Sequence, residues 1–356
     1  MREARSFNHL EGTIMEALTF GNLRPEDDLM HAVGGDPSHN ESMFFNFFDT
    51  GKKTGGFVRI GNRANEGHAE MTFCVFLEDG SVLMQWGRIP LEDKNAFRAA
   101  GLSFTVVEPA RKIAVAFRGQ AVRIADPLEL VNPGQAMRGN PKVDVDLQLD
   151  VSGVGPMIGD RDGSSKDSVI FLDGVGHYQQ AIRADGWLQV GEERTPLSAR
   201  GVRDHSWGPR IWHSIARDRS LWVSFGPQMT VIACKTWLTG AEHADQMGCL
   251  IENGNVTPLK DIVIRTRFRS GTYYHNHVLL ELTDVNGRRL DLTGDVLRYA
   301  PLRHRKEGEE TVYLGQAMTH FTCGSMQGLG LSEYFDAESR TAGLIEYSRR
   351  GEACVE

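Results

Sequence analysis

The stretch KVDVDLQLDVSG, Lys142 to Gly153, alternates apolar and polar residues without a break. Val143, Val145, Leu147, Leu149 and Val151 fall on one side and their polar neighbours on the other. A period of two is the pleat of a strand buried on one face. The pattern is not isolated. After the first hundred residues, turn residues return about every ten positions, the rhythm of a sandwich or barrel. SMFFNFFD is an apolar strand candidate. EMTFCVFLEDGSVLMQWGRI holds two strand-like runs about Glu78-Asp79-Gly80, where Asp-Gly tolerates positive φ and favours a hairpin. LSFTVVEPARKIAVAFRG reads as a second hairpin with Pro109 in its turn. The later runs SLWVSFG, TVIACKTWLTG, DIVIRTRFRSG, HVLLELTDVNGRRLDLTGDVL and GLGLSEYF repeat the style, and Asn286-Gly287 is the strongest short turn.

Helical signals are few. GTIMEALTFGNL (Gly12 to Leu23) and LEDKNAFRAA (Leu91 to Ala100) are expected as short helices. The charged, glycine-rich stretch between Gly153 and Gly176 is expected as a surface loop or lid. A chain of 356 residues is long for one core, so two modules are expected, residues 1–190 and 191–356. The class is mainly β: two consecutive antiparallel modules with few short helices.

Composition excludes several functions. The net charge of -8 repels a polyanion, and no basic stripe is interleaved with aromatics, so nucleic acid is not an expected partner. No apolar run approaches the roughly 20 residues of a membrane span. The opening residues carry acids and lack a continuous apolar run, so no secretory leader is expected and the location is read as cytoplasmic. The five cysteines, Cys74, Cys234, Cys249, Cys323 and Cys354, are scattered and form no C-x-x-C pair, as reduced thiols would be. There is no phosphate loop, no strand-to-helix G-x-G-x-x-G, no G-x-S-x-G elbow and no H-E-x-x-H. The glycines of GSMQGLGLSEY sit between strands, where they let strands approach or bend. His275 and His277 lie two apart, which places both on one face of a strand; two histidines do not specify a metal. No cofactor and no metal are expected.

The densest chemistry is GVRDHSWGPRIWHS, Gly201 to Ser214, with two arginines, an aspartate, two histidines and two tryptophans. In an extended chain Arg203, His205 and Trp207 face one side, and Asp204 and Ser206 the other. Trp207, Trp212 and Trp222 fall close together, flanked by Trp187 and Trp237, a density that suits the wall of an apolar cavity. A carboxylic acid beside such a cavity can serve as a general acid, and aromatic faces stabilise a developing cation. Arg203 and Arg210 oppose this, since a paired Asp204 is a better anchor than an acid; His205 is then the alternative proton carrier. Two readings therefore stand: a catalytic centre, or a buried Arg-Asp-Arg anchor joining two modules.

HYQQAIRADGWLQVGEERTPLSARGVRDHSWGPRIW resembles the bacterial lipocalin-like proteins related to carotenoid 1,2-hydratase (hydroxyneurosporene synthase), in the branch carrying RD[HR]SWGPR. That broader group also includes fungal lipocalin-like Diels–Alderases. GLGLSEY resembles the group's late GxGxxEY strand, and HNESMFFNFFD its N-terminal strand. The resemblance implies two lipocalin/calycin-like β-barrel or sandwich modules with a pocket inside or between them. It implies acid–base work by Asp204 and His205 without a cofactor. Tyr178, Gln180 and Glu333 follow as second candidates from the other matching segments, with Glu41 weaker. The expected function is a cofactor-independent lyase or isomerase acting on a hydrophobic alkene or alcohol, terpenoid or substituted aromatic. Trp207, Trp212, Tyr178, Arg203, Arg210 and Glu333 would bind it. The alternative is a non-catalytic lipocalin-like binder of an apolar molecule. The expected partner is a hydrophobic small molecule; association as a homodimer is left open.

Overall fold

The computed structural model describes residues 18–163, 175–209, 214–305 and 308–356. Where the sequence alternates, the chain is strand: Lys142–Gly153 buries Val145, Leu147, Leu149 and Val151 on one face. Eight strands build a first barrel: β1 (His39–Asp49), β2 (Thr54–Arg63), β3 (His68–Phe76), β4 (Val82–Pro90), β5 (Lys112–Ile124), β6 (Lys142–Gly153), β7 (Gly176–Val190) and β8 (Glu193–Pro209). Each pairs antiparallel with the next, and β8 returns to β1, so the ring closes. A second ring follows in the same up-and-down order: β9 (Ile215–Ser224), β10 (Thr230–Leu238), β11 (Asp245–Glu252), β12 (Asn255–Phe268), β13 (His275–Asp284), β14 (Arg289–His304), β15 (Val312–Cys323) and β16 (Met326–Ala337). There β16 returns to β9. Closure removes the unpaired edges that an open sheet of this size would expose.

The three largest apolar clusters among the described residues hold the molecule together. Met43, Phe45, Phe47, Phe73 and Phe117 fill the first barrel. Leu221, Ile264, Leu280 and Phe321 fill the second. The third lies between them, where Phe44, Phe48 and Phe57 of one barrel meet Trp222, Ile232 and Leu331 of the other. All 11 residues of β1 are buried, because both of its faces cover a core. That is why MFFNFF runs apolar instead of alternating. Full burial of one such aromatic stabilises by roughly 1.5–3 kcal/mol.

The predicted turns form: Gly80 and Gly287 both take positive φ between paired strands. The glycines of β16 do what the sequence suggested. A Cβ on Gly330 would lie 2.1 Å from the Trp222 carbonyl oxygen, so glycine lets β16 close on β9.

Four expectations change. Leu91 to Ala100 is not a helix: Phe97–Ala99 is a short strand paired with Leu102–Glu108, and Phe97 and Ala99 are buried in the first core. Burying two alternate residues there outweighs the local helix preference. Of Gly12 to Leu23, residues 12–17 lie outside the described residues, and Thr19–Gly21 is a strand parallel to Met157–Asp160. Of the stretch between Gly153 and Gly176, Met157–Asp160 pairs with β7 as a strand, and residues 164–174 lie outside the described residues. The boundary drawn after residue 190 falls inside the β7–β8 hairpin, since β8 is held by β7 and β1 of the first barrel. Alternation marks strands but carries no sign of which strand closes a ring. None of the described helices is long and apolar enough to cross a membrane.

Candidate active site

β8 stays extended through Pro209, so its pleat sorts the motif into two environments. Arg203, His205 and Trp207 point into the first barrel, opposite Phe45, Met43 and Glu41 of β1. Asp204 and Ser206 point out of it. Adjacent residues of the motif thus reach different sites.

The inward face is an anchor. Arg203 is buried and donates to both carboxylate oxygens of Asp28, at 2.6 and 3.0 Å. It also donates to Gln180 Oε1 at 2.8 Å. The Tyr178 hydroxyl donates to Asp28 Oδ1 at 2.6 Å. Burial pushes the Asp28 carboxyl up, but the Arg203 charge and its hydrogen bonds outweigh that and hold it below the usual range. Burial also pushes the Tyr178 hydroxyl well above its ordinary value. Next to this anchor His205 Nε2 lies 3.0 Å from Glu41 Oε1, and His31 Nδ1 lies 2.9 Å from the same oxygen. Trp207 stacks on the His31 ring at 3.9 Å.

The outward face opens on a cavity of about 550 Å³ between the barrels. Its apolar wall includes Phe44, Phe57 and Met84 of the first barrel and Trp222, Leu314 and Phe335 of the second. Trp222 is fixed there by its indole N–H, which donates to Gln179 Oε1 at 3.0 Å. Asp204 enters from the first barrel and Glu333 from the second; Gln316 donates to Glu333. Both carboxylates stabilise the charge of Arg59, another lining residue, against a burial cost that lowers its pKa. Arg59 also lies 3.7 Å from Glu70. Burial pushes the Glu70 carboxyl up, yet Arg59, Arg63 and Arg88 together hold it at about 2. His177 Nε2 stands 4.0 Å from Asp204 Oδ2. A polar floor under an aromatic wall suits proton transfer to an apolar substrate.

The sequence-predicted residues therefore separate. Asp204 and Glu333 line the cavity. Tyr178, Gln180, Arg203, His205, Trp207 and Glu41 gather inside the first barrel. Arg210 and Trp212 lie outside the described residues. Arg59, Glu70, His177 and Gln316 were missed. For Arg59 the available signal was a lone charge within the apolar run GFVRI. His275 and His277 do not share a face. One extra residue, Asn276, bulges the strand opposite Arg267 and Phe268. His275 is buried against the Tyr334 ring, while His277 pairs outside with Asp295 at 2.8 Å.

Residues 24–338 match the family model described as Domain of unknown function (DUF7064). The chain belongs to this family. No curated protein matches the DUF7064 chain by sequence. Among solved structures it is similar to kievitone hydratase from Nectria haematococca, with a TM-score of 0.56 and 12% identity over 92% of this chain and 95% of that one. It is similar to CghA solved with Sch210972, with a TM-score of 0.52 and 13% identity over 84% and 89%. A protein described as an AttH from Nitrosomonas europaea has a TM-score of 0.50 and 12% identity over 90% and 97%. At these identities the likeness is one of fold.

Proposed function

We propose that the cavity between the barrels is the active site of a lyase or isomerase of hydratase or cyclase type, working without a cofactor on a hydrophobic alkene or alcohol. A terpenoid or a substituted aromatic has the matching chemistry. The observation that carries the reading is the placement of Asp204. It is the carboxylate of the sharpest motif in the chain, and it lines the cavity between the barrels together with Glu333 of the other barrel. The naming of one neighbour of like fold as a hydratase supports the reaction class.

In the hydration direction Asp204 gives its proton to one alkene carbon. The other carbon becomes cationic, and the faces of Phe44, Phe57 and Trp222 stabilise it. Water adds, and its surplus proton returns to a carboxylate, Asp204 or Glu333. In the reverse direction the acid protonates a hydroxyl, water leaves, and a carbon-bound proton passes to a carboxylate. His177 behind Asp204 is the nearest store for that proton. Arg59 keeps the polar floor from accumulating negative charge. His205 faces away from the cavity, so its place in this reading is behind the strand that carries Asp204.

The test is turnover of a panel of alkenes and alcohols in heavy water, comparing the natural protein with Asp204→Asn and Glu333→Gln. Solvent deuterium on the product carbon, with at least about 100-fold loss in Asp204→Asn, is the expected result. Full turnover in both folded variants overturns the assignment. Tight binding without any deuterium incorporation would instead make the protein a carrier of an apolar molecule.

A further inference from the structure

The anchor inside the first barrel leaves one cluster that the proposed reaction does not use. We propose that His31, Glu41 and His205 form a binding site for a divalent first-row metal ion of the Zn²⁺ or Co²⁺ kind. The site lies where the segment carrying Asp27, Asp28 and His31 caps the barrel.

Geometry comes first. One donor atom from each residue lies within 4.8 Å of the others. Glu41 Oε1 stands 2.9 Å from His31 Nδ1 and 3.0 Å from His205 Nε2. Tetrahedral bonds of about 2.0–2.1 Å set neighbouring donors roughly 3.3 Å apart, so Glu41 needs to part from each imidazole by only a few tenths of an ångström. Two imidazoles and a carboxylate are the borderline donor set that Zn²⁺, Co²⁺ and Ni²⁺ favour over Mg²⁺ or Ca²⁺.

Charge is the second observation. Three buried carboxylates meet here: Asp27, Asp28 and Glu41. Arg161 holds Asp27 at 2.9 Å and Arg203 holds Asp28. Among the described residues Glu41 has no guanidinium or ammonium partner; its contacts are the two imidazoles and the His31 backbone N–H. A buried carboxylate is stabilised by a cation beside it, and a divalent ion between these donors would supply one without either imidazole having to hold a second proton.

The surroundings fit a metal-bound histidine. His31 Nε2, the nitrogen turned away from Glu41, lies 3.7 Å from Asp27 Oδ1. At that distance the Asp27 charge favours a proton on Nε2, which leaves Nδ1 as the nitrogen that faces an ion, and a small closing of the gap would give the hydrogen bond that supports ligating imidazoles. The Trp207 ring, 11° from parallel, holds the orientation of His31. An ion there ties β1, β8 and the capping segment together behind Asp204. The donors sit at positions 31, 41 and 205, so no ligand-spacing motif announces them, and the sequence expectation of no metal had nothing to read.

The experiment strips the full-length protein with a chelator and titrates it with Zn²⁺ by calorimetry, with Co²⁺ absorption as a second readout. One equivalent binding at micromolar or tighter affinity is expected, together with tetrahedral Co²⁺ bands and a higher Tm. His31→Gln changes a partly exposed side chain and leaves the fold intact; it should weaken Zn²⁺ at least 100-fold. Asp27→Asn should weaken it 10–100-fold. His277→Gln, on the other barrel, should change nothing. Absence of saturable binding overturns the proposal, and so does one equivalent that His31→Gln leaves unchanged. Neither outcome bears on whether Asp204 transfers a proton.

Discussion

Each barrel buries an arginine against a tyrosine ring, and the two anchors differ in what stands behind them. In the first, Arg203 lies over Tyr178 and meets one carboxylate, Asp28. In the second, Arg219 lies over Tyr334 and meets two, Asp336 and Glu356, with Arg217 as a further partner of Glu356. Both anchors sit on the strands that run through the middle of the molecule, β8 and β9. The pleat then gives each strand a second duty. Behind Arg203 the next residue, Asp204, enters the cavity. On β9 the outward residue is Trp222, three positions past Arg219. The same local device therefore brings one carboxylate to the cavity from one barrel and one indole of its wall from the other. The lesson is that a charged anchor and a reactive group can share one strand, provided they have opposite parity.

This comparison can be broken. The largest expected effect is on turnover. Asp204→Asn should lower it by about 10²–10⁴ while leaving Tm nearly unchanged, because Asp204 faces the cavity and not the anchor. A variant that loses activity only because it unfolds would merge the two faces into one. Asp28→Asn should do the reverse. It leaves the Arg203 guanidinium buried without a counter-charge and should cost about 3–5 kcal/mol in chemical denaturation. Glu356→Gln should cost less, because Arg219 keeps Asp336; equal losses would erase the difference between the anchors.

Acid gives a third test. The Glu70 carboxyl stands at about 2 when folded, against an ordinary value of 4.5. A depressed folded value means its contribution is present above pH 4.5 and fades as pH falls towards 2. Asp336 runs the other way: burial raises it despite Arg219, so its contribution weakens as pH rises above the ordinary carboxylate range. The acid loss of Tm should therefore be shallower in Glu70→Gln than in the natural protein and steeper in Asp336→Asn. Identical slopes would mean that neither carboxyl is shifted. The smallest effect is expected from Trp222→Leu. It keeps an apolar wall but removes the indole bond to Gln179, and should weaken ligand affinity by about tenfold at most.

Much of this was legible in one dimension. Unbroken alternation in Lys142 to Gly153, the Asp79-Gly80 and Asn286-Gly287 turns and the apolar run MFFNFF determine strands and hairpins, because the pleat and positive φ are local properties. The same pleat separates Asp204 from His205 on paper. It does not say which face looks into a cavity. The cavity exists only because two closed rings pack side by side. Its polar floor joins Arg59, Glu70, Asp204 and Glu333 from four strands and both barrels. The bulge at Asn276, the strand at Phe97–Ala99 and the meeting of His31, Glu41 and His205 are likewise decided by tertiary burial. Sequence specifies period and turn; only ring closure and the packing of ring on ring decide which residues share a volume.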